Sequence, residues 1–166
     1  MEEVTSNKEQ KGKKKVTHEV LTFFISGRLF GILPDDLLEI VEDGDYTPIP
    51  NSPEFLTGII NSHGRVVSVV DFTKIFKKEN LGIGAKRRIT ILNNDDFMVG
   101  ILVPYDLQIS VYEGNKKEIK EKGSIPFFKK YNFSDKESSV KIEILNSTNV
   151  FDYLWSYFKE HSIREI

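Results

Sequence analysis

Gly58-Ile59-Ile60-Asn61-Ser62-His63-Gly64-Arg65-Val66-Val67-Ser68-Val69-Val70-Asp71 sets two short β-branched runs on either side of a polar reversal. Such runs read as a hairpin with both faces buried. Gly64 stands where the chain must take positive φ to turn back. Asp71 ends the second run and is placed to cap a short helix over 72–76. The stretch holds no nucleophile, base or metal-ligand pattern, so it points to a binding module rather than an enzyme.

Outward from this hairpin the chain reads mostly as short strands, nine or ten in all, at the spacing of small barrels. Residues 19–25 and 28–32 pair across Ser26-Gly27, a two-residue turn. Pro34-Asp35-Asp36 opens a single helical turn, with proline pre-set for the first position. A strand over 39–42 follows, and Pro48, Pro50 and Pro53 then force an extended approach to the central hairpin, with one helical turn over 53–56. Beyond it come strands over 87–92, 97–103 and 107–112, with Asn93-Asn94-Asp95-Asp96 as the turn between the first two. Charged residues 113–122 read as a mobile loop. Strands over 125–128 and 140–145 complete the second lobe. A helix over 149–158 closes the chain, with Val150, Phe151, Leu154, Trp155 and Phe158 as its apolar stripe.

Composition narrows the function. The 166 residues fit one domain or one fold of two small lobes, with 39% hydrophobic residues and twelve Phe to build a core. The formal net charge of −2 favours neither nucleic acid nor an anionic membrane. The absence of cysteine rules out disulfides and thiol chemistry and fits a reducing cytosol. There is no apolar run of about 18 residues for a membrane span and no signal-peptide core. A cytoplasmic protein is expected. Residues 1–16 are polar and Lys-rich and read as a disordered tail, and 17–166 as the folded domain.

Candidate chemistry is sparse. His18, His63 and His161 lack metal-ligand spacing, and the pairs Asp35/Asp36, Asp43/Asp45 and Asp95/Asp96 sit where aspartate serves turns and caps. No metal and no cofactor is expected. Lys86-Arg87-Arg88 with the Lys-rich tail could meet RNA or DNA, but the aromatic residues occupy positions suited to a core rather than to base stacking. Edge strands, hairpin tips and apolar seams remain as the binding features.

The central stretch resembles the CheW-like family, whose motif reads Gly-x-x-Asn-Leu-Arg-Gly-x-x-x-Pro-Val-x-Asp-Leu. Gly58, Asn61, Gly64, Val69 and Asp71 match. Ser62, His63, Ser68 and Phe72 stand for the usual Leu, Arg, Pro and Leu. Residues 23–32, Leu38-Glu39-Ile40 and residues 47–53 resemble the family's opening hairpin, its Val-x-Glu-Ile segment and its proline-containing approach. Residues 98–103 resemble a later strand, with Pro104 in place of Asp. The likeness covers roughly residues 19–160 and is specific in its first half.

The resemblance implies an all-β fold with short helices: two five-stranded SH3-like barrels, interleaved lobes of one domain over 17–166, packed side by side and closed by a C-terminal helix. It implies a non-catalytic adaptor between the cytoplasmic tip of chemoreceptors and a CheA-type histidine kinase, cytoplasmic and recruited to membrane-associated receptor arrays. A diverged scaffold for another kinase pathway is the related reading. By position, the receptor side falls on Glu39, Ile40, Gly58, Asn61, His63 and Gly64, and the kinase side, in the second lobe, on Arg88, Thr90, Val99 and Ile101. His63→Asp or Gly58→Asp is then expected to uncouple the receptor while the fold survives.

Overall fold

Two hairpins with the same two-residue loop geometry organise the molecule, a computed structural model that describes residues 16–95 and 97–164. In the first, β1 (Thr17–Ile25) and β2 (Arg28–Ile32) join through Ser26 and Gly27, at φ 51° and 79°. In the second, β4 (Leu56–Ser62) and β5 (Arg65–Val70) join through His63 and Gly64, again at 51° and 79°. Positive φ at both central residues gives a loop whose twist matches that of the strands it connects. The expected Lys-rich tail lies outside the described residues, apart from Val16.

Each hairpin seeds one sheet. The first contains β1 and β2 with β8 (Gln108–Glu113), β9 (Asn115–Ile119), β10 (Phe128–Ser134) and β11 (Ser139–Leu145), in the order β8-β1-β2-β11-β10-β9. The second contains β3 (Leu37–Glu42), β4, β5, β6 (Arg87–Asn93) and β7 (Met98–Pro104), in the order β3-β6-β7-β5-β4. Both follow one pattern. The hairpin is antiparallel, its second strand pairs parallel with the last strand of the lobe (β2 with β11, β5 with β7), and two antiparallel neighbours follow. The two lobes are a structural repeat without a sequence repeat.

The residues read as a mobile loop over 113–122 instead carry β9. Only Gly114 separates β8, which pairs with β1, from β9, which pairs with β10. The two are halves of one bent strand that returns the sheet upon itself, so six segments make five strand paths. At Gly114 φ is 101°, and a Cβ would stand 2.2 Å from the Ser134 carbonyl oxygen. Only glycine permits this bend. The strand expected over 125–128 also shifts: Ile125 and Phe127 are buried in a turn and pairing begins at Phe128.

The lobes are interleaved rather than sequential. Strands β6 and β7, expected in the second lobe, belong with β3–β5, and the chain returns to the first hairpin only at β8. One apolar cluster fills the interior of the five-stranded lobe (Val67, Val69, Ile89, Ile91, Leu102), a second fills the other lobe (Val20, Phe133, Ile142, Ile144) and the largest lies between them. Phe30, Phe72 and Phe128 meet in that seam, with ring centroids 4.9–6.2 Å apart. The central hairpin is buried on both faces only at its inner end. Val69 and Val70 pair with β7 and are buried, whereas Val66, beyond that pairing, is 69% exposed.

Helix α1 (Phe72–Ile75) is capped as expected, the Thr73 amide donating to Asp71 Oδ1 at 3.1 Å. Helix α2 (Ser147–Arg164) is longer than expected and turned differently. Val150 and Leu154 are buried, with Tyr153 and Tyr157 packed beside them, while Trp155 is 68% exposed. The i, i+3, i+4, i+7 set faces the seam and the Trp155 side faces out. Leu154→Ala is expected to cost about 2–4 kcal/mol and Trp155→Ala within about 0.5 kcal/mol, read as urea midpoints. Gly114→Val is expected to cost about 2–4 kcal/mol through the lost bend, and a wild-type midpoint would show that the strand is not held there.

Candidate partner-binding site at the central hairpin tip

The edge strands β3 and β4 approach one another, and polar side chains bridge them. Thr47, on the segment that follows β3, forms an isolated bridge with Ile59, each amide donating to the other's carbonyl at 2.9 Å. At the far end of β4, the Ser62 hydroxyl donates to Glu39 Oε1, and His63 Nε2 lies 3.2 Å from Glu39 Oε2. One carboxylate is thus held by two consecutive residues of the hairpin. Glu39 sits at a register irregularity of β3, where the pairing with β6 slips between Leu37 and Glu39. Such an irregularity re-aims a side chain, and here it faces the hairpin.

The tip is built to present His63. Asn61 Oδ1 accepts from the Gly64 amide at 2.9 Å, closing the loop. The His63 imidazole is 84% exposed while Glu39 is mostly covered. A hollow of about 300 Å³ beside them is lined by Leu38, Glu39, Ser62, His63, Arg65 and Met98.

Of the residues expected to face a receptor, Glu39, Asn61, His63 and Gly64 come together here. Ile40 does not join them, because adjacent residues of a strand point to opposite faces. Leu38, Ile40 and Glu42 form the outward row of β3. Gly58 lies at the other end of β4, at φ 153°, and a Cβ on it would stand 2.8 Å from the Thr47 carbonyl oxygen. Its role is to let the Tyr46–Thr47 segment cross β4. Gly58→Asp therefore damages the fold and cannot serve as a clean uncoupling variant. Ser62, absent from the expected site, is the residue that the sequence signalled only as a departure from the family motif.

Three of the four residues expected on the kinase side are core. Thr90, Val99 and Ile101 are buried, and the Thr90 hydroxyl donates to the Ile101 carbonyl at 3.1 Å. They lie on β6 and β7, in the middle of the sheet with apolar clusters on either side, so their side chains have no route to a partner. Arg88 alone reaches the surface. Its guanidinium lies over Tyr105 at 4.1 Å from the ring centre, with Glu42 at 3.7 Å. All ten positions fall in the five-stranded lobe.

Other polar groups are engaged in structure. Asp43 accepts from Tyr46 Oη and from Arg87 Nε at 2.9 Å. Burial, with Asp43 beside it, pushes the Tyr46 phenol well above its ordinary range. Asp36 accepts from Ser147 Oγ at 2.8 Å, tying the start of α2 to the turn before β3. His18 contacts the Gly114 carbonyl and His161 stacks on Tyr157. Among the described residues no three His, Cys, Asp or Glu side chains gather as a metal site.

Residues 19–123 match the family described as the CheW-like domain. Among curated relatives, chemotaxis protein CheW of Thermotoga maritima is 35% identical over 89 residues, covering 51% of this chain and 56% of that protein. Protein FrzA of Myxococcus xanthus is 25% identical over 84 residues, covering 51% and 52%. The matched segment thus spans about half the length of these relatives. The crystal structure of scaffolding protein TtCheW from Thermoanaerobacter tengcongensis superposes with a TM-score of 0.61 over 79% of this chain and 90% of that one, at 23% identity, a likeness of fold.

The contrast between Gly58 and His63 is testable. Gly58→Ala is expected to lower stability by about 1–3 kcal/mol. His63→Ala, at an exposed tip, is expected to change it by less than about 1 kcal/mol. Chemical denaturation of the two variants side by side measures both.

Proposed function

Because the chain belongs to the CheW-like domain family, we propose that it is a non-catalytic adaptor joining the cytoplasmic tip of a chemoreceptor to a CheA-type histidine kinase. The observation that carries this reading is the Glu39–Ser62–His63 cluster. A strand carboxylate and a hairpin-tip base, at the two places where the family motif puts Glu and Arg, are in contact in this chain. The receptor surface is this tip, and residues 17–166 act as one domain of two lobes. Arg88 stacked on Tyr105 marks the kinase-facing side, since Arg and Tyr are enriched among residues that dominate interface energies.

The mechanism is geometric. An adaptor transmits signal by holding two partners in a register that one partner's state can bias. Modest interfaces suffice when many copies act in an array. Recruitment to the array comes through the receptor, as no described helix is long and apolar enough to cross a membrane. Nucleic-acid binding is the weaker reading, because the basic run is already engaged: Arg87 on Asp43, and Arg88 between Glu42 and Tyr105.

The test is a pull-down from a lysate that contains both partners, with wild type and His63→Asp as baits. The variant places a second carboxylate against Glu39 and removes the base. Wild type is expected to recover kinase and receptor, and the variant to lose at least tenfold in receptor while keeping kinase and an unchanged melting temperature. Full receptor recovery by the variant would move the receptor surface away from the tip.

A further inference from the structure

We infer that the hairpin tip is a protonation-dependent contact, in which His63 offers a partner a hydrogen-bond acceptor in its neutral form and a charged donor in its acidic form. The inference rests on the adaptor reading for the identity of the partner, and on the geometry of the tip for the switch itself.

An ionised carboxylate only accepts hydrogen bonds. Glu39 Oε2, 3.2 Å from Nε2, therefore selects the tautomer with its proton on Nε2. Ser62 Oγ donates to the other oxygen, so the carboxylate is held from both sides and cannot swing away to follow a change in His63. Ser62 is a positioning residue in this arrangement. With Nε2 engaged and the imidazole 84% exposed, Nδ1 is the nitrogen left for a partner. It carries a lone pair when the ring is neutral and an N–H when the ring is protonated. Gain or loss of one ring proton therefore exchanges a donor for an acceptor at Nδ1.

The charges around the ring set the direction. Glu39 faces it from β3, and Arg65, the first residue of β5, lines the same hollow. Arg65 contacts Met98 Sδ at 3.5 Å and forms no ion pair among the described residues. The remaining lining residues, Leu38, Ser62 and Met98, carry no charge. Protonation changes the local balance from one cation against one anion to two against one. The acidic form therefore suits an anionic or carbonyl acceptor on the partner, and charge complementarity of this kind governs association rate and specificity.

The experiment measures binding of a chemoreceptor cytoplasmic-domain fragment from the same genome to wild type, His63→Arg, His63→Gln and Ser62→Ala. Each is read at about pH 5.5 and about pH 8, either side of the imidazole range. Wild type is expected to bind roughly fivefold or more tighter at the lower pH. His63→Arg is expected to stay tight and His63→Gln weak at both, which subtracts any titration in the receptor itself. Ser62→Ala is expected to blunt the wild-type pH response while leaving stability within about 1 kcal/mol. Equal wild-type affinity at both pH values, or tighter binding at pH 8, overturns the switch and leaves the adaptor reading standing. No binding by wild type or His63→Arg at either pH overturns the adaptor reading and this inference with it.

Discussion

Burial of β6 and β7 on both faces is the constraint from which the remaining architecture follows. Ile89, Ile91 and Leu102 point into the five-stranded lobe, while Leu92, Val99, Ile101 and Val103 point the other way, into the seam. A strand pair with apolar groups on both faces cannot stand at a surface. Each such side chain left in water forfeits roughly 1.5–3 kcal/mol. The five-stranded lobe covers one face by curling, and the other face requires a second lobe and a helix. The first hairpin, α1, the turn before β10 and α2 meet that requirement through Phe23, Phe30, Phe72, Phe127 and Leu154. The two lobes share this layer.

Polar links around the seam hold the lobes in register without dominating the energy. Arg28 grips Glu143 through Nε and Nη2 at 3.0 and 2.5 Å and reaches Glu79 with Nη1 at 2.8 Å. The guanidinium, charged under all ordinary conditions and pushed higher still by Glu143, joins β2, β11 and the turn that follows α1. It is partly exposed, so its contribution is modest. Its effect is orientation, and an adaptor whose output is geometry depends on orientation. In the other lobe, Glu39 and Ser62 join the edge strands β3 and β4, so the tip that presents His63 stands on a braced frame.

The hairpins were legible because their signals are local. Ser26-Gly27 and His63-Gly64 lie between apolar runs, and a two-residue loop admits few solutions. Asp71 as a cap is equally local. The errors share another origin. Residues 115–119 are charged and read as loop, yet they form a strand because β10 lies alongside and Gly114 allows the bend. Trp155 reads as part of an apolar stripe, yet α2 is rotated so that Tyr153 and Tyr157 face the seam. Thr90, Val99 and Ile101 read as candidate surface on strands of the second lobe, yet β6 and β7 lie inside the five-stranded sheet and bury all three.

The sequence by itself determined the class of fold, the two hairpin turns, the helix cap and the family, since each is written in residues close together in the chain. It also marked Glu39 and His63, through their places in motif segments. Only the tertiary structure decided that β6 and β7 join β3–β5 in one sheet, that β8 and β9 are one bent strand, that Gly58 is structural, and that Ser62 joins Glu39 and His63. Those facts depend on which surfaces meet, and residues 39 and 62 become neighbours only when the edges of a curled sheet close.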